Sequence, residues 1–196
     1  MTRTGSGKWV RAAVVQAGAV PFDSDACVDK AVWLIQEAAA TGAKVIVFPE
    51  AFIGGYPKGL NYGLVVGARD PAGREEFRLY LDAAIDVPGP QTSRLGEAAA
   101  AHGSDVVMGA IERAGGTCYC PVSFFAPDGT LLGKHRKRMP TALEQHDLGV
   151  RGWCNADRCG ESLRADWLGN LLGKLYAGAA DGDVREAGRA LLRADR

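Results

Sequence analysis

The sequence predicts an α/β fold with parallel strand pairing, and three observations carry that prediction. Ala12–Val15 is an apolar run, and Lys44–Phe48 holds four apolar residues in a row with β-branched Val and Ile leading, the pattern of short buried strands. Between them, Cys27, Ala31, Leu34, Ile35 and Ala38 recur at the helical period and make one buried face. Strand, helix, strand is a βαβ unit, whose strands pair parallel through a right-handed crossover.

The totals narrow the class. A chain of 196 residues is long enough for one core of ordinary size. Its 23 basic and 23 acidic residues balance, which argues against a nucleic-acid surface. No apolar run reaches the length of a membrane span. The start, MTRTGSGKWVR, lacks the apolar stretch of a secretory signal. Five cysteines without a framework pattern suit a reducing compartment. The expectation is a soluble cytoplasmic protein that binds neither nucleic acid nor membrane.

Residues 1–8 read as a loose leader and 9–16 as the first strand. Pro21–Asp25 is a turn, with Asp23 or Ser24 placed to cap a helix over 26–40. Gly42 ends that helix, and the strand over 44–48 follows. Residues 61–73 are loop-like. A helix is predicted over 74–84, with Phe77, Leu81 and Ile85 on one side. Asp86–Pro90 turns, and an Ala-rich helix over 91–102 closes at Gly103. Residues 105–112 form the next strand, Gly115-Gly116 a hairpin turn, and 118–126 another strand. Pro121 is awkward inside a central strand, because it cannot donate to the ladder. Pro127-Asp128-Gly129 is a turn, and Thr130–Gly133 leads into a basic segment.

Glu50 draws attention by its place. Pro49 and Gly54-Gly55 end the strand, so Glu50 sits just past its C-terminal end, the edge where open α/β sheets bind ligands. A carboxylate on an apolar floor there can serve as a base. From position alone, a solvated loop glutamate or a helix-cap partner is the plainer reading. Cys27 lies on the helix's apolar face and reads as core. Cys118 and Cys120 project to one face of a strand, but no further partners for a metal are evident. Tyr56, Tyr62 and Tyr80 are candidates for lining a pocket or, equally, ordinary amphipathic surface residues.

The run FPEAFIGGYPKG around Glu50, together with KHRKRMPT over Lys134–Thr141, resembles the nitrilases of the carbon–nitrogen hydrolase superfamily. That family uses a Glu, a Lys and a Cys. By the match, Glu50 is the proton acceptor and Lys137 stabilises the intermediate. Glu144 matches a supporting carboxylate in the family's Pro-Thr-x-x-Glu segment. Arg138 departs from the apolar residue the family prefers. The resemblance implies small nitrile or amide substrates, no metal and no organic cofactor, and homo-oligomeric relatives. It implies a four-layer α-β-β-α sandwich, of which this chain supplies an incomplete version. The nitrilase-like portion spans 9–144.

The family's cysteine belongs at position 171, in a Cys-Trp-Glu-Asn-Tyr-Met-Pro motif, and this chain has Leu171. Residues 145–196 lose strand-like patterning. Read one base later with permissible codons, LLGKLYAG over Leu171–Gly178 gives Cys-Trp-Glu-Asn-Tyr-Met-Pro. The same shift turns His146–Trp153 into Thr-Ile-Trp-Gly-Phe-Gly-Asp-Gly, also family-like. The expectation is a frameshift near Glu144-Gln145, a poorly structured out-of-frame tail, and a truncated product without its nucleophile. Cys154 and Cys159, with His146 nearby, are then products of the shifted frame and not zinc ligands. One sheet face would lose its partner layer, which favours aggregation. Three other readings are an amidase of the same superfamily, a non-catalytic fragment that associates with intact relatives, and a basic nucleic-acid module at Lys134–Arg138. The last lacks aromatics and overall charge.

Overall fold

In the computed structural model the described residues are 10–55 and 71–137, with the backbone of 192–193. A mixed six-stranded sheet runs through them. The strands and helices are β1 (Ala12–Gln16), α1 (Ser24–Ala40), β2 (Val45–Val47), α2 (Pro71–Asp82) and α3 (Pro90–His102). Then come β3 (Asp105–Gly109), β4 (Glu112–Ala114), β5 (Thr117–Tyr119), β6 (Pro121–Phe125), β7 (Leu131–Arg136) and β8 (Leu192–Arg193). The sheet order is β7-β6-β3-β2-β1-β8, and β4-β5 is a separate ribbon.

The βαβ unit forms as the apolar pattern requires. Asp23 accepts the Ala26 N–H at 2.9 Å and caps α1. Cys27, Val28, Ala31, Leu34, Ile35 and Ala38 then face inward. They meet Ala13 and Val15 of β1, Ile46 of β2, and Val106 and Met108 of β3. Leu95, Ala98 and Ala99 of α3 complete this core on the same sheet face. Each fully buried Leu or Ile contributes roughly 1.5–3 kcal/mol by transfer from water. β1 pairs β2, and β2 pairs β3, all parallel. The opposite face carries Val45, Val107 and Phe124, which are buried, and Val14, which is exposed.

The helix expected over 74–84 runs instead over Pro71–Asp82 and takes in residues read as loop, and three further features differ from the sequence reading. The strand over 105–112 is two strands, because the chain leaves the sheet at Ala110-Ile111. Ala110 bridges Ile53, and Glu112 bridges Ile85, so β4 starts a different ribbon. The strand over 118–126 breaks at Cys120. Pro121 is the first residue of β6, a position that tolerates a missing N–H, which resolves its awkward place. The basic segment does not merely follow a strand: Lys134–Arg136 lies within β7. The hairpin turn at Gly115, with φ 63°, joins β4 and β5 as expected. Glu144, Leu171, Tyr56, Tyr62, His146, Cys154 and Cys159 lie outside the described residues.

Candidate active site

Topology brings the chemistry-bearing residues to one edge. β2 and β3 run parallel, so Glu50, just past β2, lies at their C-terminal edge. β6 is antiparallel to β3, so Cys120, which precedes it, starts at that same edge. β7 is antiparallel to β6 and therefore ends there, which delivers Lys137. The result is direct: Lys137 Nζ lies 2.9 Å from Glu50 Oε1. The Cys120 thiol donates to the same oxygen at 3.7 Å. Glu50's side chain is 49% exposed and Lys137's 24% exposed, while Cys120 is 7% exposed.

The Glu50 turn is held by backbone. Phe48 N–H donates to Val107 O at 2.8 Å, and Ile53 N–H donates to Gly109 O at 3.1 Å. Ile111 N–H returns to Ile53 O at 2.8 Å. Ala51 takes a left-handed φ of 52°, a conformation disfavoured for residues with a side chain and concentrated at functional turns. Gly109 lets this turn cross β3. A Cβ there would stand 2.2 Å from Pro49 O and 2.8 Å from Glu50 Cα. Only glycine permits that approach.

A buried carboxylate anchors the lysine strand. Glu112 is 2% exposed. It accepts Arg136 Nε at 2.7 Å and Nη2 at 2.8 Å, and also pairs with Lys134 Nζ. Lys134 additionally donates to Val87 O. Residues two apart on a strand share a face, so one carboxylate holds both cations. Arg136 also stacks 4.0 Å over the Tyr119 ring. Burial pushes the Glu112 carboxyl up, but the hydrogen bonds and charges of Arg136 and Lys134 outweigh it and leave the value below the ordinary glutamate range. The Lys137 N–H donates to Cys120 O at 2.8 Å and continues the β6–β7 pairing to the lysine itself. The bare charge run is thus a clamped strand, with Lys137 at its end.

Sequence reasoning paired Glu50 with Lys137 but passed over Glu112 and took Cys120 only as half of a thiol pair. The available signal for Glu112 was a glutamate ending an apolar run, opposite basic residues at alternate positions. Tyr80, a candidate for pocket lining, is 1% exposed and packs with Ala51, Ile111, Cys118 and Cys120 beneath the turn. Cys27 is core, as read: burial pushes its thiol up. Among the described residues, no group of three or more His, Cys, Asp or Glu is placed to hold a metal. Among them, no helix is long and apolar enough to cross a membrane.

The family described as Carbon-nitrogen hydrolase matches residues 11–153, which runs past the break expected at Glu144-Gln145. A bifunctional nitrilase/nitrile hydratase of Lupinus angustifolius is 56% identical over 136 residues, which is 69% of this chain and 39% of that protein. An aliphatic nitrilase of Sinorhizobium fredii (strain HH103) is 57% identical over 135 residues, 69% of this chain and 44% of that protein. This chain thus spans less than half the length of either relative. A nitrilase-superfamily member from Saccharomyces cerevisiae superposes with a TM-score of 0.55 at 25% identity, covering 73% of this chain and 49% of the other. An amidase from Nesterenkonia sp. superposes with a TM-score of 0.54 at 20% identity, covering 77% and 51%, and shares the fold. By sequence and by architecture, the chain belongs to the carbon–nitrogen hydrolase family.

Proposed function

We propose that this chain carries the carboxylate and the lysine of a nitrile-hydrolysing site whose nucleophile is missing at Leu171. The observation that carries the reading is the 2.9 Å contact between Lys137 Nζ and Glu50 Oε1 at the sheet's C-terminal edge. Nitrile hydrolysis through a thiol needs both groups. Attack by sulfur puts charge on the nitrile nitrogen, which a fixed ammonium stabilises. The thiol proton needs an acceptor; a first water then adds to the thioimidate and ammonia leaves to give the acyl-enzyme, and the same carboxylate activates the second water that releases the acid. Glu50 takes the acceptor role and Lys137 the stabilising role, with Glu144 as the supporting carboxylate. The substrate is a small nitrile, handled in the cytoplasm, and the products are a carboxylic acid and ammonia.

An amide reaches a comparable tetrahedral intermediate with the same groups, so amide hydrolysis is the nearest alternative. The Gly-Tyr-Pro-Lys-Gly run after Glu50 favours the nitrile. A non-catalytic role, in association with intact relatives, is the alternative outside enzymology; co-purification with a full-length relative supports it.

Residues 9–144 form the hydrolase-like portion, and 145–196 are read from a shifted frame. Sequencing the coding DNA across codons 140–196 tests this. The reading expects Cys-Trp-Glu-Asn-Tyr-Met-Pro one base on from the codons of Leu171–Gly178. Codons for Leu171 and Leu172 that are incompatible with TGC in that frame contradict it.

A further inference from the structure

We propose that Glu112 is a positioning residue for turnover: it engages Arg136 and Lys134 and so reserves Glu50 for Lys137. Three cations, Lys134, Arg136 and Lys137, arrive together at the end of β7. Glu50, half-exposed at the sheet edge, pairs with Lys137 Nζ at 2.9 Å. An arginine grips a carboxylate bidentately and competes well against lysine for it. Arg136 is one residue from Lys137, so it is a rival for Glu50 unless another carboxylate takes it. Glu112 takes it with both oxygens: Oε2 accepts Arg136 Nε at 2.7 Å, and Oε1 accepts Arg136 Nη2 at 2.8 Å together with Lys134 Nζ.

The anchor is itself fixed. Glu112 is buried, and backbone bonds hold it on both sides: Ile85 N–H donates to Ile111 O, and Arg113 N–H donates to Ile85 O, each at 2.9 Å. Successive side chains on a strand point to opposite faces. Lys137 N–H still pairs with Cys120 O, so holding Arg136 toward Glu112 turns Lys137 the other way. A buried ion cluster is a weak source of stability, because desolvation offsets its attraction. What this cluster supplies is the identity and place of the cation at Glu50. A misplacement of about 1 Å can cost on the order of a hundredfold in rate.

The inference rests on the proposed roles of Glu50 and Lys137, and two experiments separate it from them. The first uses the chain as it stands. A water-soluble carbodiimide activates the Glu50 carboxylate, the Lys137 amine displaces the urea, and the resulting amide crosslink is read by peptide mass spectrometry. Glu112→Gln should lower the crosslink yield at least about fivefold, because the two groups are no longer held together. Glu112→Asp keeps the charge but withdraws it by one methylene, and should lower the yield by less; it serves if Glu112→Gln fails to fold.

The second experiment uses the frame-corrected protein, below the unfolding temperature of each variant. Glu112→Gln should lower kcat at least about tenfold and leave KM within about twofold. In a Lys137→Ala background the same substitution should have no further effect on kcat, because it acts through that lysine. A merely structural glutamate lowers kcat in both backgrounds alike. An undiminished crosslink in both Glu112 variants, or an equal loss of turnover in the two backgrounds, overturns the inference. If Lys137→Ala leaves turnover intact, the proposed function fails and this inference with it. If Lys137→Ala lowers turnover and Glu112→Gln does not, only this inference fails.

Discussion

Lys137 Nζ and Glu50 Oε1 lie 2.9 Å apart, although most of the described chain separates them in sequence. Two devices enforce the contact. Strand direction brings the end of β2 and the end of β7 to one edge. Glu112 then clamps Lys134 and Arg136, so the strand reaches that edge in a fixed register.

Gly109→Ala tests the first device. The added methyl meets the Pro49 carbonyl and Glu50 Cα, both backbone, so the turn must move. Overpacking of this kind costs roughly 1–3 kcal/mol. Urea unfolding should report that loss as a lower denaturant midpoint.

Glu112→Gln tests the second. It leaves Lys134 and Arg136 facing a neutral amide in a buried spot. Breaking a fully buried pair costs about 3–5 kcal/mol; with both cations 28% exposed, solvent screening reduces this to roughly 2–3 kcal/mol. Denaturant midpoints measure the difference.

The same glutamate gives a pH signature. Its folded value lies below the ordinary one, so its stabilisation is full above about pH 4.3 and is lost as pH falls through the folded value. The stability gap between wild type and Glu112→Gln should therefore be present near neutrality and shrink on acidification. A gap that grows as pH falls contradicts the assignment.

Leu34→Ala probes the α1 core directly. Leu34 is fully buried among Ile35, Ala38 and the sheet. The cavity should cost about 2–5 kcal/mol in unfolding free energy.

The legible parts of this molecule were those set by local pattern. The βαβ unit, the Asp23 cap and the Gly115 turn follow from apolar period, side-chain oxygen placement and glycine. Glu50 was legible because Pro49 and paired glycines mark a strand end. Apart from the start of α2 at Pro71, inside a stretch read as loop, the misses were non-local. Residues 105–112 are continuously β-rich, yet the partner of Ala110 is Ile53 and that of Glu112 is Ile85, so one apolar run serves two sheets. The basic segment reads as a solvated charge run until Glu112 is brought against it. Cys120 resembles any strand thiol until β6 starts beside Glu50. Pairings of this kind depend on which segments meet in space, and no period within the segment encodes them.

The most direct test of the central claim is ammonia release from a panel of small nitriles, measured for two proteins. One is the chain as it stands. The other is expressed from the gene with one base removed near codon 145. The account predicts background release from the first and turnover by the second, with Glu50→Gln or Lys137→Ala lowering that turnover at least about a hundredfold. Steady turnover by the chain with Leu171, or a frame-corrected protein indifferent to Glu50, would contradict it.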